Sequence, residues 1–200
     1  MSDIFIILKA AISVDGYLGA KERLIVSGPG DRQEVNKLRE SVDAILVGAG
    51  TVRADNPSLL HKSSSANPIR VVLSKSAKLS PDLNLLNDNL ARTIVYHCSA
   101  ELVSPNTEVE FCFLGKDTLD LKQVLAHLAT LGVRRLLVEG GAEVLKQFYS
   151  QGLFNQIRLS VGPQYLGKAG VRLVLGSKHK LRLTNVEVLG QNTVHSYHKR

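Results

Sequence analysis

Short apolar runs, each closed by turn residues and followed by a polar or helical stretch, most constrain what this 200-residue chain can fold into. Ile4–Leu8, Val42–Gly48 (VDAILVG), Ile69–Ser74 (IRVVLS), Thr93–His97 (TIVYH) and Val133–Val138 (VRRLLV) have strand length and are largely apolar. A strand without a polar face must be covered on both sides, the usual condition inside a parallel sheet. Helical patterns lie between these runs. Gly28-Pro29-Gly30 reads as a loop, and Asp31 with Glu34 has capping-box spacing before Val35 and Leu38. Asp120 opens a second helix, with Gln123 at the capping-box position. Its stripe is Leu121, Val124, Leu125, Leu128 and Leu131, with Gly132 as the stop. A third helix covers Ala142–Gln151 and turns Leu145, Phe148 and Tyr149 to one face. Further strands are expected at Val109–Leu114, Gln156–Val161, Leu181–Leu189 and Thr193–His198. Gly190-Gln191-Asn192 joins the last two as a hairpin. Residues 79–92 read as irregular and 62–67 as a polar loop. Together these predict one α/β domain over residues 1–200, with a mainly parallel sheet and antiparallel C-terminal strands.

Composition narrows the function classes. No apolar run approaches the roughly 20 residues that a membrane span needs. Asp3 precedes the first apolar run and no basic segment does, which argues against a secretory signal. Cys98 and Cys112 form no CxxC pattern and read as reduced thiols of a cytoplasmic protein. The net charge is +7, but aromatics are only 5% of residues and the Lys and Arg are scattered. Nucleic acid is therefore not the expected partner. The densest basic stretch, Lys178–Arg182, reads as a solvated turn. His61, His97, His127, His179, His195 and His198 show no ligand spacing, so no metal is expected. His195 and His198 read as residues of an edge strand.

Two stretches carry polar groups directly after an apolar strand. In Ile45–Lys62 the run breaks at Gly48-Ala49-Gly50 and continues with Thr51, Arg53, Asp55, Asn56 and Pro57. That suits a binding loop, or an ordinary strand-to-helix connection. In Leu136–Leu145 (LLVEGGAEVL) two glycines precede a helix, so the backbone can approach an anion at the helix N-terminus; a tight turn is the alternative. Glu139 suits a heterocycle or sugar hydroxyl, or else faces solvent. Lys9 is either a proton-transfer group or a charge paired with a carboxylate. In such sheets ligands lie beyond the carboxyl ends of the strands. The loops after Lys9, Gly48, Ser74 and Val138 leave the strands there.

An ordered set of motifs spans nearly the whole chain: Lys9-x-Ala11-x-Ser13-x-Asp15-Gly16, Val35-x-x-Leu38-Arg39, Val47-Gly48-x-Gly50-Thr51-Val52-x-x-Asp55-x-Pro57-x-Leu59, Arg70-Val71-Val72-Leu73, Val138-Glu139-Gly140-Gly141 and the tail Val161–Gly170. The set resembles the pyrimidine reductases of riboflavin biosynthesis. The resemblance implies a three-layer dihydrofolate-reductase-like fold, NADPH as cofactor and a homodimer. The implied substrate is a ribosylaminopyrimidine 5′-phosphate, reduced to its ribitylamino product by hydride transfer to C1′. No HxE or PCxxC signature of the deaminase domain found ahead of many bacterial versions occurs. The chain thus resembles the free-standing reductases of archaea and fungi. Both the 2,5-diaminopyrimidinone and the deaminated aminouracil substrate stay open.

Carried over by position, Ala11, Gly48, Thr51, Asp55 and Ser74 match cofactor positions, and Gly140, Gly141, Ala142 and Glu143 the pyrophosphate loop. Arg39, Leu59, Lys62 and Glu139 match substrate positions. Lys9, Asp55 and Glu139 are the implied catalytic candidates. Lys75 adds charge suited to a cofactor 2′-phosphate, a reading from the residue alone. Asn56, Leu24 and Asn36 depart from the family pattern, where Asp, Ser and His are usual. Two other readings stand beside this one: the same fold acting on another pterin, pyrimidine or carbonyl compound, and a non-catalytic nucleotide-binding protein.

Overall fold

The computed structural model describes residues 4–20, 29–63, 66–99, 109–115, 118–167, 170–176 and 178–200. Leu24 and Gly28, both named above, lie outside them. In chain order the elements are β1 (Phe5–Ser13), β2 (Tyr17–Ala20), α1 (Pro29–Glu40), β3 (Ala44–Gly48), α2 (Ala49–Asp55), β4 (Ile69–Ser74), α3 (Asn84–Asn87), β5 (Thr93–His97), β6 (Val109–Phe113), α4 (Leu121–Thr130), β7 (Arg135–Gly140), α5 (Ala142–Ser150), β8 (Gln156–Gly162), β9 (Gly170–Arg172), β10 (Leu181–Leu189) and β11 (Asn192–Lys199). Contacts group them into two units, residues 1–5 with 39–137, and residues 6–38 with 138–200.

In the first unit β3, β4, β5 and β6 are parallel neighbours, with Val47 opposite Val72 and Val72 opposite Val95. Every residue of β3 and β5 is buried, as expected of strands covered on both faces. Helix α4 buries Leu121, Val124, Leu125 and Leu128. Asp120 caps it by accepting from the Lys122 amide at 2.9 Å, and Gln123 Nε2 donates to the same carboxylate at 3.3 Å. Asp43 Oδ2 accepts from the amides of Arg134 and Arg135, both at 2.7 Å, while its own amide donates to Arg135 O. One carboxylate thus sets the start of β7 against the start of β3.

Arg70 of the RVVL motif is 1% exposed. Its Nε donates to Thr93 Oγ1 at 2.9 Å, Nη1 to Asp88 Oδ2 at 2.8 Å and Nη2 to Ala91 O at 2.8 Å. A buried guanidinium is tolerable only when its donors are matched, and here the turn before β5 supplies the acceptors. The stretch read as irregular over 79–92 is organised by these bonds and holds the four-residue helix α3.

In the second unit the strand order is β10-β11-β8-β1, with the Val138–Gly140 half of β7 beside β1. β1 and β8 are parallel, while β8–β11 and β11–β10 are antiparallel. Strand β11 therefore lies between two others. His195 and His198 are interior to the sheet order, contrary to the sequence reading, and β10 is its edge. The short strands β2 and β9, which the sequence reading lacked, form a separate antiparallel pair. Their approach is close enough that a Cβ at Gly170 would lie 2.6 Å from Tyr17 Cβ, so only glycine fits there.

Several boundaries move. β1 runs on through Lys9 to Ser13, so no loop follows Lys9, and β3 starts at Ala44 rather than Val42. β7 starts at Arg135 rather than Val133 and runs through Glu139 to Gly140. Helix α1 starts at Pro29, not Asp31. Proline needs no amide partner in a first turn, so a residue read as loop begins the helix.

Arg70→Met should lower unfolding stability by about 3 kcal/mol, because Asp88, Thr93 Oγ1 and the carbonyls of Ala91 and Ser58 lose a buried partner. Urea denaturation checks this, and an unchanged midpoint would contradict the assignment.

Candidate functional site

The residues singled out from the sequence fall on both units. In the first, β3 passes directly into α2, so Ala49 and Gly50 are helical and the expected glycine loop is not formed. A Cβ at Gly50 would meet nothing within 4 Å, which leaves open space beside this turn. Thr51 is half-buried and Asp55, the last residue of α2, is exposed. Gly48 pairs with Leu73, which sets Gly48 and Ser74 at the carboxyl ends of adjacent strands. Ser74 is 2% exposed and its Oγ is a buried hydroxyl without a hydrogen-bond partner. Lys75 follows it on the surface.

Asn56, the departure in the middle of this segment, has a clear local task. It adopts φ 42° and ψ 55° and ends α2, its amide donating to Val52 O. Asparagine tolerates this left-handed conformation better than most residues. Its Oδ1 accepts from the Asn84 amide at 2.8 Å, and Asn84 Nδ2 returns a bond to Asn56 O at 3.0 Å. Leu59 is also left-handed, at φ 53°, and is 1% exposed. Arg39 Nη1 donates to Leu60 O at 3.1 Å. His61, 8% exposed, accepts from the Ser63 amide at Nδ1 and bonds Ala66 O through Nε2 at 3.1 Å, bracing the loop that carries exposed Lys62.

In the second unit, Lys9 and Ala11 lie on β1 and Glu139 on the half of β7 beside it. Gly140 has φ 112°, a conformation open to glycine, and its peptide to Gly141 is cis. Gly141 caps α5 without a side-chain bond, so the first amides of a nine-residue helix are left for another acceptor. Ala142 is half-buried, and Glu143 is exposed in the first turn. The Ser13-x-Asp15-Gly16 motif is structural here. Burial would raise the Asp15 pKa, but bonds from Ser13 Oγ at 2.6 Å and from the amides of Leu166 and Gly167 at 3.1 and 2.7 Å lower it. The motif thereby anchors the 164–167 turn of the matched tail.

The reading of Lys9 as a charge paired with a carboxylate is borne out, while the larger cluster around that pair was missed. Lys9 Nζ lies 3.2 Å from Asp31 Oδ2, and the side chains are 10% and 0% exposed. One turn along α1, Glu34 meets Arg158 of β8 at 2.7 Å, and Glu187 of β10 lies 3.3 Å from the same guanidinium. Burial raises the pKa of Glu34, and Arg158 and Lys9 oppose that rise. Asp31 and Glu34 are therefore not a capping box: both carboxylates turn toward basic residues of the sheet. The signal was present in the sequence. Lys9 and Arg158 interrupt apolar strands, and a charge there requires a partner.

Each unit has groups suited to an anionic ligand. In the second unit the amides at the start of α5 are groups that an anion can use; in the first, taken by itself, the buried Ser74 hydroxyl and the exposed Lys75 after it offer a donor and a positive charge. Among the described residues no group of three or more His, Cys, Asp or Glu is placed to hold a metal ion.

The chain is 31% identical to the 2,5-diamino-6-ribosylamino-4(3H)-pyrimidinone 5′-phosphate reductase of Archaeoglobus fulgidus, over 94% of each chain. It superposes with a TM-score of 0.86 and 26% identity on the crystal structure of the Thermotoga maritima diaminohydroxyphosphoribosylaminopyrimidine deaminase/5-amino-6-(5-phosphoribosylamino)uracil reductase, covering 98% of this chain and 57% of that longer one. Dihydrofolate reductase from Enterococcus faecalis, at 13% identity and a TM-score of 0.57 over 100% of this chain and 98% of that one, shares the fold. Residues 4–195 match the RibD C-terminal domain, and on this match, the sequence identity and the common α/β fold, the chain belongs to the RibD C-terminal reductase family.

Proposed function

We propose that the protein is an NADPH-dependent reductase of riboflavin biosynthesis, which converts 2,5-diamino-6-ribosylamino-4(3H)-pyrimidinone 5′-phosphate to its ribitylamino counterpart. The observation that carries this is the likeness to the Archaeoglobus reductase over almost the full length of both chains. When bound, NADPH would supply a hydride to C1′, where the C=N double bond of the opened sugar or the ring C–O bond is given up. A proton completes the balance at the ring oxygen or the imine nitrogen. The amides of Gly141, Ala142 and Glu143 would hold the pyrophosphate. Ala11, Gly48, Gly140, Thr51, Asp55 and Ser74 would line the rest of the cofactor, with Lys75 toward a 2′-phosphate. Arg39, Leu59, Lys62 and Glu139 would bind substrate, with Lys62 meeting its phosphate as a point charge. Lys9, Asp55 and Glu139 are the proposed catalytic groups, and Lys9 the proton donor.

We also propose a cytoplasmic homodimer. β10 is the edge of its sheet, and Val186 and Val188 are 48% and 73% exposed on it, an apolar edge that invites pairing. Replacing Val188 by Asp should halve the mass seen by analytical ultracentrifugation; a wild-type monomer, or a variant that stays dimeric, would rule out this edge.

Purified protein should consume NADPH faster than NADH with the diamino substrate, followed by nicotinamide absorbance. Failure with both the diamino and the deaminated pyrimidine phosphates would overturn the proposed function. Glu139→Gln should lower turnover roughly 10- to 100-fold while leaving NADPH affinity, measured by fluorescence, within a few-fold. Lost cofactor affinity with unchanged substrate affinity would move Glu139 to the cofactor instead.

A further inference from the structure

We infer that Asp31 is the positioning residue for the Lys9 ammonium, and that Glu34 and Arg158 fix Asp31 in place. The inference deepens the function proposed above, since it rests on Lys9 acting in that reduction.

The cluster has a definite inside and outside. Asp31 is fully enclosed, while a tenth of the Lys9 side chain reaches the surface. An ammonium carries three N–H donors, and Asp31 Oδ2 takes one at 3.2 Å. The carboxylate is thus the backing of the ammonium, and the remaining donors are what Lys9 can offer outward. Asp31 sits in the first turn of α1, where the positive end of the helix dipole favours its negative charge. One turn further on, Glu34 engages Arg158 of β8, the strand paired with β1, with Lys9 opposite Arg158 in register. Two ion pairs thus cross from one helix to two adjacent strands at matched positions. Rotating or sliding α1 would break both, so Asp31 has little freedom to move away from Lys9.

Stability alone does not account for the pair. Desolvating two charges typically offsets what their attraction returns, and apolar residues filling the same space do as well or better. β1 is otherwise made of Phe, Ile, Leu, Ala and Ser, so Lys9 is its one charged residue. The pair gives something else: a cation at a fixed place beside the Glu139 half of β7.

The test uses the full-length protein with NADPH and the diamino substrate. Asp31→Asn keeps the shape and removes the charge. It should lower kcat roughly 10- to 100-fold with little change in KM, and move the basic limb of the kcat–pH profile to lower pH, because the ammonium loses its counter-charge. Asp31→Glu keeps the charge and shifts its position. It should leave the basic limb where the wild type has it and give an intermediate kcat. A second readout needs no turnover: reductive methylation of Lys9, followed by peptide mass spectrometry, should be several-fold faster in Asp31→Asn. Wild-type kcat, limb and labelling rate in Asp31→Asn would overturn the inference. If Asp31→Asn does not fold, unchanged kcat and labelling in Asp31→Glu would overturn it equally. A wild-type protein without turnover, combined with faster Lys9 labelling in Asp31→Asn, would overturn the proposed function while supporting the coupling of Asp31 to Lys9.

Discussion

A strand buried on both faces has no side chain to spare for chemistry, and that constraint orders this protein. β3 and β5 are buried at every position, and β4 at all but its first. Polar groups along such strands would each need a partner inside the core. Polar and charged groups come instead at the strand ends, where Gly48 passes into α2 and Ser74 into Lys75. Where a strand does carry charge internally, as β1 does at Lys9 and β8 at Arg158, a helix has to bring the counter-charge. α1 does so twice. The same rule explains Arg70, whose guanidinium is matched by one carboxylate, one hydroxyl and backbone carbonyls of the neighbouring turn.

How much was legible depended on the range of the interaction. The apolar runs placed β3, β4 and β5 closely, because two-sided burial leaves a continuous signature in the chain itself. α4 was legible to its cap, since Asp120 and Gln123 act within one turn. β2 and β9 were not: each is only three or four residues long, and they recognise each other from about 150 positions apart, through a glycine that reads locally as just another turn. Asp31 was misread for a related reason. The Asp-x-x-Glu spacing that marks a capping box also sets two carboxylates on one helix face, and local pattern cannot distinguish a backbone amide from a distant Lys as their partner.

The site residues divide in the same way. Gly140, Gly141 and α5 follow from a strand–glycine–helix pattern that needs only neighbours in sequence. Asn56 and Leu59 owe their left-handed backbone to the packing of the segment between α2 and β4, which the sequence does not announce. The Ser13–Asp15 motif belongs to structure more than to chemistry, because its oxygens are committed to holding the 164–167 turn. A motif shared by a family can serve to hold a distant segment in place.

The parallel pairing of β1 with β8 has a consequence during synthesis. The two strands meet across 149 positions of chain, as the bond from the Ile6 amide to Asn155 illustrates. When β1 is made, its partner has not been translated, and β11, which covers β8, comes later still. The intervening stretch 39–137 holds β3 to β6 and can form its pairs in the order they emerge. The first strand must wait without a neighbour in its sheet until the Val138–Gly140 half of β7, and then β8, have been made.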